Sequence, residues 1–211
     1  MIDAEESWIQ DPIDYIAQLM MAKYNKEKVV VYNTIQLYRS DRLDFLRKSY
    51  QHAIYHTYKP GFKLVRGAYM EKERKRAVEI GYPSPIQKDK DATDHDYNLA
   101  LRLAFENIKN GSLIVASHNE KSSLLATELA SAAGLTTKHP NLHFSQLYGM
   151  SDNLTFNLAD AHFNVSKYLP FGPVDEVIPY LMRRAQENSS VSGQTGRELQ
   201  LLKKECQRRG I

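Results

Sequence analysis

"FKLVRGAY", Phe62 to Tyr69, is the stretch on which the fold reading turns. It is a short apolar and β-branched run, as a strand buried on both faces tends to be. It closes on Arg66 and then on Gly67–Ala68, small residues that let a backbone come close to a flat or anionic ligand. A plain strand followed by a turn explains the same letters equally well. Four other runs share the pattern: "KVVVYNTIQLY" (Lys28–Tyr38), "SLIVASHN" (Ser112–Asn119), "LHFSQLYG" (Leu142–Gly149) and "NVSKYLPFG" (Asn164–Gly172). The opening "MIDAE" reads as the tail of one more.

Helical stretches separate these runs. In the first, Asp11 is the expected N-cap and Pro12 the first helical residue, with Ile13, Ile16, Ala17, Met20 and Tyr24 at helical spacing. The others span Asp41–Tyr58, about Asp94–Lys109, Glu120–Ala133 and Pro173–Asn188. No two-residue turn joins consecutive strands, so the expectation is α/β with a parallel sheet. The strands end in polar residues: Asp3 and Glu5, Gln36, Arg66, His118 and Asn119, Gln146, Lys167 and Tyr168. Such residues at many strand ends suit a (β/α)8 barrel, whose site lies at that rim. Six strand–helix units are countable, where a full barrel has eight. After a Ser/Gly-containing linker, "ENSSVSGQTG", a charged terminal helix follows; residues 1–190 form the expected domain and 191–211 a polar tail.

Composition narrows the function classes. A formal charge of +3 is too small to argue for nucleic acid or an anionic membrane. The runs "YNKEKVV" and "MEKERKRAVE" alternate charge sign and read as solvated surface. The single cysteine, Cys206, excludes an internal disulfide. No apolar run is long enough to span a bilayer and no signal peptide is visible, so a cytoplasmic protein, soluble or peripheral to a membrane, is expected. The absence of G-x-G-x-x-G weakens a dinucleotide fold, and no G-x-S-x-G elbow or Cys–His pairing supports nucleophilic catalysis. His52 and His56 are spaced to chelate but lack the glutamate of H-E-x-x-H, and no metal is expected. His118, at a strand end, is the better site candidate.

In "PYLMRRAQEN", Tyr180, Arg183, Arg184 and Glu187 fall within an arc of about 100° on one helix face. Val174, Val177, Ile178, Leu181 and Ala185 make the neighbouring apolar stripe. The arginine pair is either a surface ion-pair array with Glu187 or a clamp for a carboxylate or phosphate. Helical geometry leaves both open.

Taken in order, "IDAEES", "YNTIQLY", "KLVRGAYMEKER", "ASHN", "QLYGMSD", "KYLPFGP" and "PYLMRRAQENSS" resemble proline dehydrogenase, the FAD-dependent family of proline catabolism, from Ile2 to about Ser190. The resemblance implies a distorted (β/α)8 barrel with FAD at its carboxyl rim. It implies that Arg183 and Arg184 grip the proline carboxylate, steadied by Glu187. Tyr168, Tyr180, Leu147 and Ala68 would line the proline pocket, with Asp3 hydrogen-bonded to Tyr168. Gln36 and Lys63 would lie by the isoalloxazine, and Arg66, Gly67, Lys90, Thr93, Ser117, His118 and Asn119 along the rest of FAD. The implied reaction passes a hydride from proline C5 to flavin N5 and yields pyrroline-5-carboxylate, with a membrane quinone as the acceptor. L-proline is thus the expected substrate, and nucleic acid is not an expected partner.

One departure is large. The match starts at the family's third strand, without a first-strand lysine that also meets the carboxylate. The expectation is a fragment of a longer enzyme or a mis-started gene product, in preference to a truncated homologue. A non-catalytic remnant acting only with a partner chain is the competing function.

Overall fold

The computed structural model describes residues 1–190 and 194–210, and the side-chain surroundings of residues 1–182 and 199–210. Among the described residues, helices and strands alternate from α1 (Ser7–Tyr24), β1 (Asn33–Gln36), α2 (Arg42–Tyr55) and β2 (Gly61–Val65) to α3 (Met70–Ile80) and α4 (Lys90–Glu106). They continue with β3 (Ser112–Ala116), α5 (Glu120–Ala132), β4 (Leu142–Leu147), α6 (Asp152–Asp160), β5 (Val165–Tyr168), α7 (Val174–Ser190) and α8 (Gln194–Arg209). The five strands pair in chain order and all in parallel. Ile2 adds a parallel bridge to Asn33 on the free side of β1, so the opening residues do run alongside the sheet. The α/β class and the parallel sheet match the sequence reading.

Alternation along each strand separates two faces. Ile35, Phe62, Leu64, Leu113, Val115, Leu142 and Phe144 point to the helices and join one buried cluster with Leu46, Tyr50, Tyr97, Leu101, Ala126 and Leu158. Each such side chain, fully removed from water, contributes about 1.5–3 kcal/mol. The register puts Thr34 beside Lys63, Lys63 beside Ile114, Ile114 beside His143 and Ser145 beside Ser166, so these share the opposite face. This second face mixes Lys63, His143 and the small Thr34, Ser145 and Ser166 with the apolar Ile114, and it is partly open.

The sheet curves towards that second face. Lys63 of β2 is bonded to Asp3, outside β1, while its ammonium lies 6.0 Å from the ring centre of Tyr168 on β5. In a flat sheet β2 and β5 would stand about 14 Å apart, three strand spacings. A trough that brings both edges within reach of one lysine is the curvature of a barrel wall.

Several boundaries differ from the sequence reading. β1 is confined to Asn33–Gln36, and residues 28–32 are not strand. The charge run after Tyr69 forms α3, and a short α6 follows β4. Helix α1 begins at Ser7 with Glu6 as N-cap, which puts Pro12 inside it. Its buried face is Gln10, Asp14, Ala17 and Met21, while Ile16 and Tyr24 are exposed. The helix is rotated from its apolar stripe because Asp14 accepts hydrogen bonds from Gln10 and Asn33 and pairs with Arg42 at 2.6 Å, all buried. On α7, Val174, Ile178 and Leu181 of the apolar stripe are likewise exposed, Val177 is half-buried, and the side chain of Ala185 lies outside the described residues.

Candidate active site at the carboxyl ends of the strands

Strand ends bring two groups of side chains together. The first lies in the mouth of the trough. Lys63, on the inner face of β2, keeps 13% of its side chain exposed and is held by the Asp3 carboxylate. Asp3 also accepts from Thr34 Oγ1 at 3.3 Å. Its expected bond to Tyr168 is not formed; the Asp3 carboxylate is taken up by the Lys63 ammonium and the Thr34 hydroxyl. Leu147 and Tyr168 are register partners at the ends of β4 and β5. The Tyr168 ring centre lies 6.0 Å from that of Tyr180 on α7. Asp3, Lys63, Leu147, Tyr168 and Tyr180 thus form one linked group at the strand ends. The side chains of Arg183, Arg184 and Glu187, one and two turns beyond Tyr180, lie outside the described residues. Gln36, on the same inner face, is buried and donates to the Glu5 carbonyl at 2.7 Å.

The second group caps β2 and β3. Arg66 follows Leu64 in strand parity and turns to the helix side. Its Nε donates to Asp94 at 2.6 Å, and its terminal nitrogens to Ser117 at 2.8 Å and Ser122 at 2.9 Å, with the guanidinium 4.3 Å from the Tyr97 ring centre. It therefore braces α4 and α5 against the strand ends, with three of its five N–H groups engaged. Lys90 pairs with the same Asp94 at 2.6 Å. Burial would raise the Asp94 pKa, but Lys90 and Arg66 outweigh it and hold the carboxyl below its ordinary value. Thr93 is buried in the first turn of α4, its hydroxyl on the Asp89 carbonyl. Ser117 accepts from the Asn119 amide, and Asn119 in turn caps α5 through Ser122. His118 Nδ1 meets Ser151 Oγ at 3.0 Å. The rim is thus preorganised by helix caps and one arginine.

Gly67 and Ala68 join the groups. Gly67 has φ +138°, and a Cβ built on it would fall 2.3–2.6 Å from three ring atoms of Tyr38. Glycine is required here by the tyrosine packed against it, a nearer neighbour than the ligand inferred from sequence.

Several residues escaped the sequence reading. Glu73, inside the run taken as solvated, is fully buried and accepts from the Ser7 amide at 2.5 Å and the Ser7 hydroxyl at 2.7 Å. Tyr69 donates to Glu5 at 2.6 Å. Lys167, which the sequence places at a strand end, turns back to the Met150 carbonyl at 2.5 Å and pairs with Asp152 at 2.7 Å. A charge run hides a buried member unless its i, i+3, i+4 neighbours are set against a partner, and that partner is remote in sequence.

His52 and His56 stack at 4.1 Å between ring centres, and His52 Nδ1 lies 3.0 Å from the Tyr58 hydroxyl. No group of three metal-ligating side chains occurs among the described residues. No described helix is long and apolar enough to cross a membrane.

The family model described as proline dehydrogenase matches residues 1–197. The chain is 42% identical to proline dehydrogenase 2, mitochondrial, of Arabidopsis thaliana, over 99% of this chain and 45% of that one. It is 42% identical to proline dehydrogenase 1, mitochondrial, of Homo sapiens, over 99% and 35%. A crystal structure of proline utilization A (PutA) from Bdellovibrio bacteriovorus superposes with a TM-score of 0.84 at 25% identity, over 90% of this chain and 20% of that one. The chain therefore spans less than half the length of these relatives. Matched along nearly all of its own length in sequence and in fold, it belongs to the proline dehydrogenase family.

Proposed function

We propose that this chain carries the substrate- and flavin-facing part of a proline dehydrogenase, which oxidises L-proline to pyrroline-5-carboxylate with FAD. The observation that supports it most is the mouth itself: Lys63 bonded to Asp3 and close to Tyr168, with Tyr180 and Leu147 beside it.

The residues present fit a flavin. The inner face of β3–β5 offers Ala116, Ser145 and Ser166, small side chains that leave space for a planar ring, with the Lys63 cation at its edge. Lys63 and Gln36 would hold the ring, and the rim from Arg66 to Asn119, with Lys90 and Thr93, the remainder. When bound, the flavin supplies the hydride acceptor.

The protein's part is position and charge. Helical spacing puts Arg183 and Arg184 one turn from Tyr180, where their guanidinium forks suit the proline carboxylate and Glu187 offsets their mutual repulsion. Tyr168, Tyr180, Leu147 and Ala68 then confine the pyrrolidine ring so that C5 faces inward. The ring nitrogen must give up its proton for the C=N bond to form as the C5–H bond breaks. Lys63 would stabilise negative charge on a bound flavin, and Asp3 keeps its ammonium in place.

In this reading residues 1–190 are barrel and the remainder a tail. Ile2 and β1–β5 occupy six adjacent strand positions of an eight-strand wall, and a quinone at a membrane surface takes the electrons. The test is to titrate the protein with FAD, record the visible flavin band, and add L-proline without oxygen. Bleaching of the band supports the reading. Failure to bind FAD, or a bound flavin that proline leaves oxidised, refutes it.

A further inference from the structure

One face of α3 grips the loop that leads into α1. Tyr69, Lys72, Glu73 and Arg76 follow the i, i+3, i+4, i+7 pattern of a single helix face. They meet Glu5, Glu6, Ser7 and Trp8 in turn. Tyr69 donates to Glu5, Lys72 pairs with Glu6, Glu73 accepts from Ser7, and the Arg76 guanidinium lies 4.4 Å from the Trp8 ring centre. The loop between β1 and α2 is enclosed beneath, with Tyr38 buried against Gly67.

Glu73 is the one member of this clasp that is wholly buried. A buried carboxylate is costly unless its oxygens are satisfied, and here each takes one donor from Ser7. Asp3 lies four residues before Ser7, and Ala68 five residues before Glu73. The two loops that carry the Asp3–Lys63 pair and Gly67–Ala68 are therefore pinned to each other by four contacts, of which that of Glu73 is the wholly buried one.

We infer that Glu73 is a positioning residue, holding the Asp3 loop and the Gly67–Ala68 loop in one arrangement at the mouth of the site. The inference rests on the proline-oxidising role of that site, and Trp8 allows it to be tested separately. Trp8 is the only tryptophan of the chain and adjoins Ser7, so its fluorescence reports the clasp without flavin or substrate.

Glu73→Ala removes both bonds. Glu73→Gln can keep them, because its oxygen still accepts from the Ser7 amide while the Ser7 hydroxyl turns to accept from the new amide. Acrylamide quenching of Trp8 should increase in Glu73→Ala, and KM for proline should rise about ten-fold or more with a smaller change in kcat. Glu73→Gln should return both to within about two-fold of wild type. Ser7→Ala, which loses one bond only, gives the same direction more weakly should Glu73→Ala fail to fold. Arg76→Ala should alter Trp8 emission and leave KM unchanged.

Unchanged Trp8 quenching in folded Glu73→Ala or Ser7→Ala would overturn the clasp. Altered quenching with an unchanged KM would overturn Glu73 as a positioning residue. A wild-type protein that neither binds FAD nor oxidises proline refutes the functional reading instead, and Trp8 quenching alone then decides whether Glu73 holds the loops.

Discussion

Gly67→Ala offers the sharpest test of the packing beneath the site. The new methyl would sit 2.3, 2.4 and 2.6 Å from three ring carbons of Tyr38, where ordinary contact begins a full ångström farther out. Tyr38 is buried at 3% exposure and cannot swing into solvent. The backbone at φ +138° adds strain of about 1–3 kcal/mol for a residue with a side chain, and the overlap about 1–3 kcal/mol more. Together they destabilise the fold by about 2–6 kcal/mol, a large share of the roughly 5–15 kcal/mol that holds a domain together. Urea unfolding followed by far-UV circular dichroism reads this as a fall in the transition midpoint. A double-mutant cycle with Tyr38→Ala isolates the overlap, because removing the ring leaves only the backbone strain. The coupling should be favourable and about 1–3 kcal/mol. A loss below about 1 kcal/mol in the single variant, or strict additivity in the cycle, would refute the reasoning.

Asp14→Ala should cost about 3–5 kcal/mol by the same urea assay, since it leaves the buried Arg42 short of a partner and frees the Gln10 and Asn33 amides. Acid should weaken the fold through Asp41. Burial works to raise its pKa, but hydrogen bonds and charge from Arg42 and Arg39 outweigh this and leave it lowered. A carboxyl lowered in the folded state contributes stability above its unfolded value, near pH 4 or just below it, and that contribution is lost as pH falls through the folded pKa. Urea midpoints measured down to about pH 3 should drop, and less steeply in Asp41→Asn. Arg66→Ala should weaken FAD binding more than proline binding, because it removes the brace between Asp94, Ser117 and Ser122; fluorescence titration of flavin compares the two. Arg183→Ala and Arg184→Ala should each raise KM for proline roughly ten- to a hundred-fold with flavin retained, from the loss of one charge-assisted pairing. An unchanged KM in steady-state kinetics would dismiss the clamp.

The strands were legible because each is a short apolar run closed by polar residues. "FKLVRGAY" and "SLIVASHN" announce both the sheet and the rim, and the parallel order of β1–β5 follows from the helices between them. The first helix was misread for an equally local reason. Its apolar periodicity runs through Ile16 and Tyr24, while the face that packs carries Gln10 and Asp14. Nothing within the helix signals that Asn33 and Arg42 wait to satisfy that carboxylate. The exposed Val174, Ile178 and Leu181 of α7 show the same limit, because periodicity marks a face able to pack and cannot say against what.

Residue types and their spacing were enough to determine the α/β class, the polar rim, and the family by its ordered motifs. They also named Lys63, Tyr168 and Tyr180, which the structure brings close together. Tertiary structure decided which charges meet. Asp3 holds Lys63 and not Tyr168, Arg66 braces helices, and Glu73 lies buried inside a run that reads as surface. The physical reason is that burial and pairing are properties of remote neighbours. The energy of a charged group depends on what excludes water from it and what answers its charge, and the chain order of the letters carries neither.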